Sequence, residues 1–171
     1  RLFAKTIGEI CGQAVTVENK PSDNGFVGVA AALSAPPDGY TVFIGSNSTF
    51  STNAATFTSL PYDPIADFTP ITVIARGSCL LLVPQKSPHK TLGDLIADAR
   101  EHPTELHYGS GSVSYTLFSE WFNELAKIKT TCINYEGSEG AINATLAGTV
   151  DFAVVGATGA YELVKSGRVR A

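Results

Sequence analysis

Apolar residues follow two rhythms along this chain: short bulky runs, and stripes spaced three and four apart, separated by polar stretches rich in Gly and Ser. The runs predict strands and the stripes predict helices. Leu2, Phe3, Ile7 and Ile10 share one face of a helix that Gly12 ends. Ala14 to Glu18 reads as a short strand, 19–25 as a polar loop, and Phe26 to Ser34 as a helix. Pro37-Asp38-Gly39 has the chemistry of a tight turn, with proline pre-setting φ and glycine free to adopt positive φ. Tyr40 to Ile44 is bulky and β-branched without clean alternation, which predicts a strand covered on both faces, as in a parallel α/β sheet. Together these form a β-α-β pattern, which favours a right-handed parallel crossover. Thr52 to Leu60 is expected to be helical, and Pro61, Pro64 and Pro70 then punctuate a surface segment.

Thr69 to Ala75 and Cys79 to Val83 are two further predicted strands, and Thr91-Leu92-Gly93-Asp94 supplies a capping box for a helix reaching His102, with Pro103 beyond it. From Leu106 onward one unit recurs three times: a strand, a short loop of Gly, Ser or Thr, and a helix. The strands are Leu106 to Tyr108, Thr131 to Tyr135 and Val150 to Val155. The first helix carries Leu117, Phe118, Trp121, Phe122 and Leu125, a broad stripe expected to face the core. The second turns Ile142 and Leu146 inward and ends at Gly148; the third ends at Gly167. The fold class is therefore α/β.

The recurring loops carry the functional expectation. Helix amino ends present unpaired backbone N–H groups and the positive end of the macrodipole, so several meeting at one crevice bind an anion without any arginine. The loops in question are Gly45 to Thr49, Gly109 to Ser114, Glu136 to Gly140 and Gly156 to Gly159. In open α/β sheets such crevices lie beyond the carboxyl ends of the strands. Each loop alone is explained by ordinary helix capping; as a set they favour binding.

Composition narrows the classes. The formal net charge is -4 and the basic residues are scattered, which argues against nucleic acid and acidic membrane surfaces as partners. The apolar runs fall short of a membrane span, and no charged-then-apolar leader opens the chain. Cys11, Cys79 and Cys132 fit no metal spacing, cannot all pair, and read as small buried side chains, with one disulfide the alternative. Gly109 to Ser114 approaches G-x-G-x-x-G but ends in serine, no G-x-S-x-G elbow is present, and His89, His102 and His107 show neither metal-pair nor triad spacing. No catalysis, metal or cofactor is expected. Glu136 and Glu139 read as charges complementing a helix dipole. The chain opens on a helix already in progress, and Arg168 to Ala171 resembles the start of a strand, so a piece of a longer protein is expected.

Val17-Glu18-Asn19-Lys20-Pro21, Pro37 to Thr41 running into Gly45-Ser46-Asn47, Leu60 to Pro64 followed by Asp67-Phe68, and Tyr108 to Ser112 stand in sequence. So do Tyr135 to Ser138, Leu146 to Phe152 and Lys165 to Ala171. In this order and spacing the chain resembles the solute-binding receptors of tripartite tricarboxylate transporters (Bug/TctC type) along essentially its whole length. The resemblance implies a two-lobed, type II-like periplasmic binding protein, each lobe a mostly parallel sheet flanked by helices. The lobes are expected at 1–103 and 104–171, both partial, without the family's opening strand and its C-terminal third. It implies capture of a small carboxylic acid for a membrane permease, in the periplasm, without catalysis. Ser46, Asn47, Ser48 and Thr49 would line the first lobe, and Ser110, Gly111, Ser112 and Ser114 the second. Tyr135, Gly137, Ser138 and Asp151 would stand at the cleft or hinge side. Glu136 departs from the family, where lysine is common. Effector-binding domains of transcriptional regulators share the two-lobed architecture and are the alternative; they require a helix-turn-helix ahead of Arg1.

Overall fold

The computed structural model describes residues 1–171, apart from the side chain of Asp23. Its packed centre is a mixed sheet of five strands, β1 (Cys79–Pro84), β2 (His107–Ser110), β3 (Thr131–Asn134), β4 (Phe152–Gly156) and β5 (Val169–Arg170), in the order β3-β2-β4-β1-β5. β2 is parallel to both β3 and β4, while β1 runs antiparallel to β4 and to β5. Successive strands that run the same way need a crossover, and helices supply it: α5 (Val113–Ala126) joins β2 to β3, α6 (Gly137–Ala147) joins β3 to β4, and α7 (Ala157–Lys165) joins β4 to β5. α4 (Leu92–Glu101) follows β1 and begins at the expected capping box, with Thr91 and Asp94 bonding each other's backbone N–H groups.

Two apolar clusters cover this sheet. Leu95, Ala99, Leu106, Tyr108 and Phe152 pack with Val83 in one, and Leu82, Ala141, Ile142, Ala153, Val155 and Ala160 in the other. β1 and α4 thus share core and sheet with β2 to β4.

The amino-terminal part is built differently. α1 (Leu2–Cys11) ends at Gly12 in the left-handed conformation (φ 63°), and α2 (Phe26–Leu33) occupies its expected place. The strands expected at 14–18, 40–44 and 69–75 do not form, and with them falls the first β-α-β unit. A strand exists only through a neighbour's backbone groups, and no segment among the described residues pairs with these three. Most of their apolar side chains stand in solvent, with Tyr40 91% and Ile71 77% exposed, while Phe43 packs on Phe50 and Phe68. Aromatic packing takes the place of a sheet: Phe50 meets Phe68 edge-on at 5.3 Å, and Phe26 meets Phe57 at 5.4 Å. The helix expected from Thr52 starts earlier, as a π-helical turn Ser48–Thr52 that runs into α3 (Asn53–Thr56).

Two further expectations about burial change. Leu117, Trp121 and Leu125 lie on the solvent side of α5, which buries Ser119, Asn123 and Ala126 instead. None of the three cysteines is buried, and among the described residues none is paired.

The histidines are structural or exposed. His89 is buried, and Asp98 accepts from its Nε2 at 2.6 Å and from Nδ1 of His102 at 2.8 Å. The bonds from His89 and then His102 hold the Asp98 carboxyl below its ordinary 3.8, and the bond to Asp98 raises His102 above its ordinary 6.5. The lowered carboxyl stabilises the fold above 3.8 and loses that contribution as pH falls through its folded value. The raised imidazole stabilises below 6.5 and loses its contribution as pH rises through its folded value. Asp98→Asn is therefore expected to depress the melting temperature most between pH 3.8 and 6.5 and least in strong acid. Thermal melts across pH check this, and an equal loss at every pH contradicts it.

Candidate functional site

A cleft of about 570 Å³ lies at the carboxyl ends of β2 and β3, where Ser110 and Asn134 stand side by side in register. Four stretches that each lead into a helix wall it: Ser22, Asn24 and Gly25 before α2; Ser46, Ser48 and Thr49 at the π-helical turn; Ser110 to Val113 before α5; and Asn134 to Gly137 before α6. Strand order reverses about β2, with β3 on one side and β4 on the other, so the cleft sits where doubly wound sheets hold ligands.

Each wall has a local cause. Asn24 and Gly25 both have left-handed backbone (φ 56° and 78°), a pair suited to Asn and Gly, and they turn the chain into α2. Ser112, with extended backbone, caps α5, its hydroxyl accepting from Tyr115 N–H at 3.5 Å. Ser110 donates to the Ser112 carbonyl at 3.0 Å and lies 2.7 Å from the Thr116 hydroxyl, which fixes the bend between strand and helix. At α6 the cap residue is Glu136, whose side chain makes no capping bond. Val113 and Gly137, the first residues of helices of 14 and 11 residues, both line the cleft, so two positive dipole ends abut it. Gly111 brings these two starts together: a Cβ there would lie 2.2 Å from the Gly137 carbonyl oxygen and 2.6 Å from the Ser138 nitrogen.

The amino-terminal wall is held to the start of α5 by hydroxyls. Ser114 Oγ lies 2.7 Å from Ser48 Oγ and donates to Thr52 Oγ1 at 3.1 Å. Behind it, Tyr62 donates to the Thr49 carbonyl at 2.6 Å and Asn53 donates to the Asn24 carbonyl at 2.9 Å, joining two cleft-lining loops through one buried amide. Among the described lining residues Glu136 is the one charged side chain, and it takes part in no ion pair.

Residues 1–171 match the family described as "Tripartite tricarboxylate transporter family receptor". The chain belongs to that family. This receptor chain is 31% identical to a UPF0065 protein of Bordetella bronchiseptica over 99% of its own length and 51% of the relative's. It is 26% identical to Protein BugT of Bordetella pertussis over 100% and 53%. It spans about half the length of the curated relatives it matches. Among solved structures, an R. palustris protein with adipate superposes at TM-score 0.91 with 31% identity, covering 99% of this chain and 57% of that one. MatC from Rhodopseudomonas palustris with bound malate superposes at 0.86 with 26% identity, covering 100% and 59%. The periplasmic binding protein BugD, 22% identical at TM-score 0.80 over 98% and 56%, shows the shared fold.

Of the residues expected at the site of this family member, the cleft brings together Ser46, Ser48, Thr49, Ser110, Gly111, Ser112, Tyr135 and Gly137. Asn47, Ser114 and Ser138 do not line it; Ser114 is buried behind the wall. Asp151 lies at the opposite end of β2, where its carboxylate accepts from the His107 N–H at 2.7 Å. The loop Gly156 to Gly159 is also elsewhere, the Ala157 N–H being spent on the Ser78 carbonyl at 2.8 Å. Its place is taken by Ser22, Asn24 and Gly25, in a polar loop opening a helix and thus the same signal as the others. Asn134 and Thr116 were reachable too, as the last residue of a strand and the first turn of its neighbouring helix.

Proposed function

We propose that this chain is the solute-holding part of a periplasmic receptor that captures a small carboxylic acid in the cleft and hands it to the permease of a tripartite transporter. The observation that carries this reading is the cleft itself, where the amino ends of α5 and α6 abut a hollow walled by serine, threonine and asparagine. Such an arrangement holds a carboxylate through backbone donors and hydroxyls and does nothing covalent to it. The family is one of receptors, and the similar R. palustris structures with adipate and with malate support a carboxylate here. Ser46, Ser48, Thr49, Ser110, Gly111, Ser112, Tyr135 and Gly137 are the contacts we assign to the solute. Calorimetry of the full-length receptor against short monocarboxylates, dicarboxylates and amino acids tests it. At least one is expected to bind with one-to-one stoichiometry, and a panel in which none binds contradicts the proposal.

A further inference from the structure

We propose that Ser114, which does not line the cleft, is a positioning residue for the solute: its hydroxyl latches the two walls of the cleft together at the spacing that binding needs. This rests on the carboxylate reading above. Ser114 stands in the first turn of α5 and is 3% exposed. Its hydroxyl has one hydrogen and gives it to Thr52 Oγ1 at 3.1 Å, so at the 2.7 Å contact with Ser48 it accepts and Ser48 donates. The result is a directed chain, Ser48 to Ser114 to Thr52, in which each bond polarises the next. Ser48 and Thr52 are one turn apart in the π-helical segment, so they share a face and a single hydroxyl reaches both. Among the described residues these are the two side-chain hydrogen bonds that join the amino-terminal wall to the sheet side.

Each wall is tied together behind this contact. On one, Tyr62 holds the Thr49 carbonyl and Asn53 the Asn24 carbonyl, so placing Ser48 and Thr52 places the lining residues Asn24, Gly25 and Thr49 with them. On the other, Ser110 donates to the Ser112 carbonyl and lies against the Thr116 hydroxyl, which places Ser110 to Val113 with the helix. A solute that touches both walls binds the aligned arrangement, and its apparent affinity falls by the fraction of molecules that leave it.

The test titrates acetate, succinate, adipate and malate into the full-length receptor and follows the tightest binder through Ser114→Ala, Thr52→Val and the double variant. Neither residue lines the cleft, so a change in affinity reports alignment. Ser114→Ala, which loses both bonds, is expected to weaken binding about tenfold, and Thr52→Val, which loses one, about threefold. The double variant is expected to bind no more weakly than Ser114→Ala, because both changes break the same chain. Phe152→Ala, which loosens the core of the sheet away from the cleft, is the control for a purely structural loss and is expected to leave the affinity of the folded receptor unchanged. Wild-type affinity in Ser114→Ala, losses that multiply in the double variant, or an equal loss of affinity in Phe152→Ala overturns the proposal and leaves the carboxylate reading standing. A wild type that binds none of the four removes the carboxylate reading and the latch with it. Should Ser114→Ala fail to fold, as thermal melts would show, Thr52→Val decides, with wild-type affinity overturning the proposal.

Discussion

Gly111→Ala is expected to abolish solute binding and to destabilise the fold together. A methyl group there would stand 2.2 Å from the Gly137 oxygen, 2.3 Å from its carbonyl carbon and 2.6 Å from the Ser138 nitrogen. All three are backbone atoms at the entry to α6, so no rotamer change relieves the overlap and the two loops must part. The cost is expected to be about 3 kcal/mol, the upper end of overpacking in a filled site. For a chain of this size that lowers the melting temperature by roughly 6–12 °C. Parting the loops also separates the amino ends of α5 and α6, whose joint approach creates the anion site. Denaturant unfolding and calorimetry on the same preparation check both halves. A variant that binds with wild-type affinity shows that this contact does not shape the cleft.

Phe152→Ala is expected to cost about 3–5 kcal/mol, as large-to-small changes of buried aromatics do. Phe152 is fully buried on β4, stacked on Tyr108 with ring centres 5.6 Å apart and meeting Phe122 edge-on at 6.0 Å. Tyr108 is constrained in turn: its hydroxyl donates to Glu120 at 2.5 Å, and burial pushes the phenol far above its ordinary pKa. Removing Phe152 leaves a cavity between strand and helix that neither partner can fill without breaking this bond. The denaturation midpoint is expected to fall sharply, while the folded fraction keeps its solute affinity because Phe152 lines no part of the cleft. A loss of unfolding free energy under about 1 kcal/mol, closer to what an exposed position shows, contradicts the packing described.

These two residues also mark what the sequence could and could not tell. Helix ends were legible where a single residue fixes the backbone: Gly12 and Gly148 take left-handed conformations, and Thr91 with Asp94 closes a capping box. β2, β3 and β4 were legible because each is followed by a helix that returns the chain to the same sheet. Hydropathy failed where it had to stand in for a partner. Tyr40 to Ile44 and Ile71 to Ile74 are as apolar as the strands that form, but a ladder needs a neighbour's N–H and C=O groups and an apolar side chain does not specify one. The stripe of Leu117, Phe118, Trp121, Phe122 and Leu125 was expected to be inside; Phe122 packs against the core, while Leu117, Trp121 and Leu125 face solvent. The helix instead buries Ser119 and Asn123, whose side chains bond the Tyr115 carbonyl and Glu120. That β1 runs against its neighbours was equally invisible, since strand direction depends on the path of a long connection.

The candidate site was legible to the extent that it is made of helix starts. Small polar residues at strand-to-helix turns pointed to Ser46, Ser48, Thr49 and to Ser110 through Ser112, and the cleft gathers them. Asp151 came from the resemblance alone, and its aspartate is spent on the backbone at the far end of β2. Gly111 was expected as a lining residue; that its missing side chain lets two loops touch required the coordinates.

The central claim is that amide donors at converging helix starts hold the solute. Amide resonances of the full-length receptor, followed as the tightest-binding carboxylate is titrated in, test it most directly. The largest shifts are expected at Asn24, Gly25, Ser48, Gly111, Val113 and Gly137, saturating together with a single affinity. Shifts gathered instead around Leu81, Leu92 and Leu95, which line the separate hollow of about 300 Å³ between β1 and α4, would contradict it.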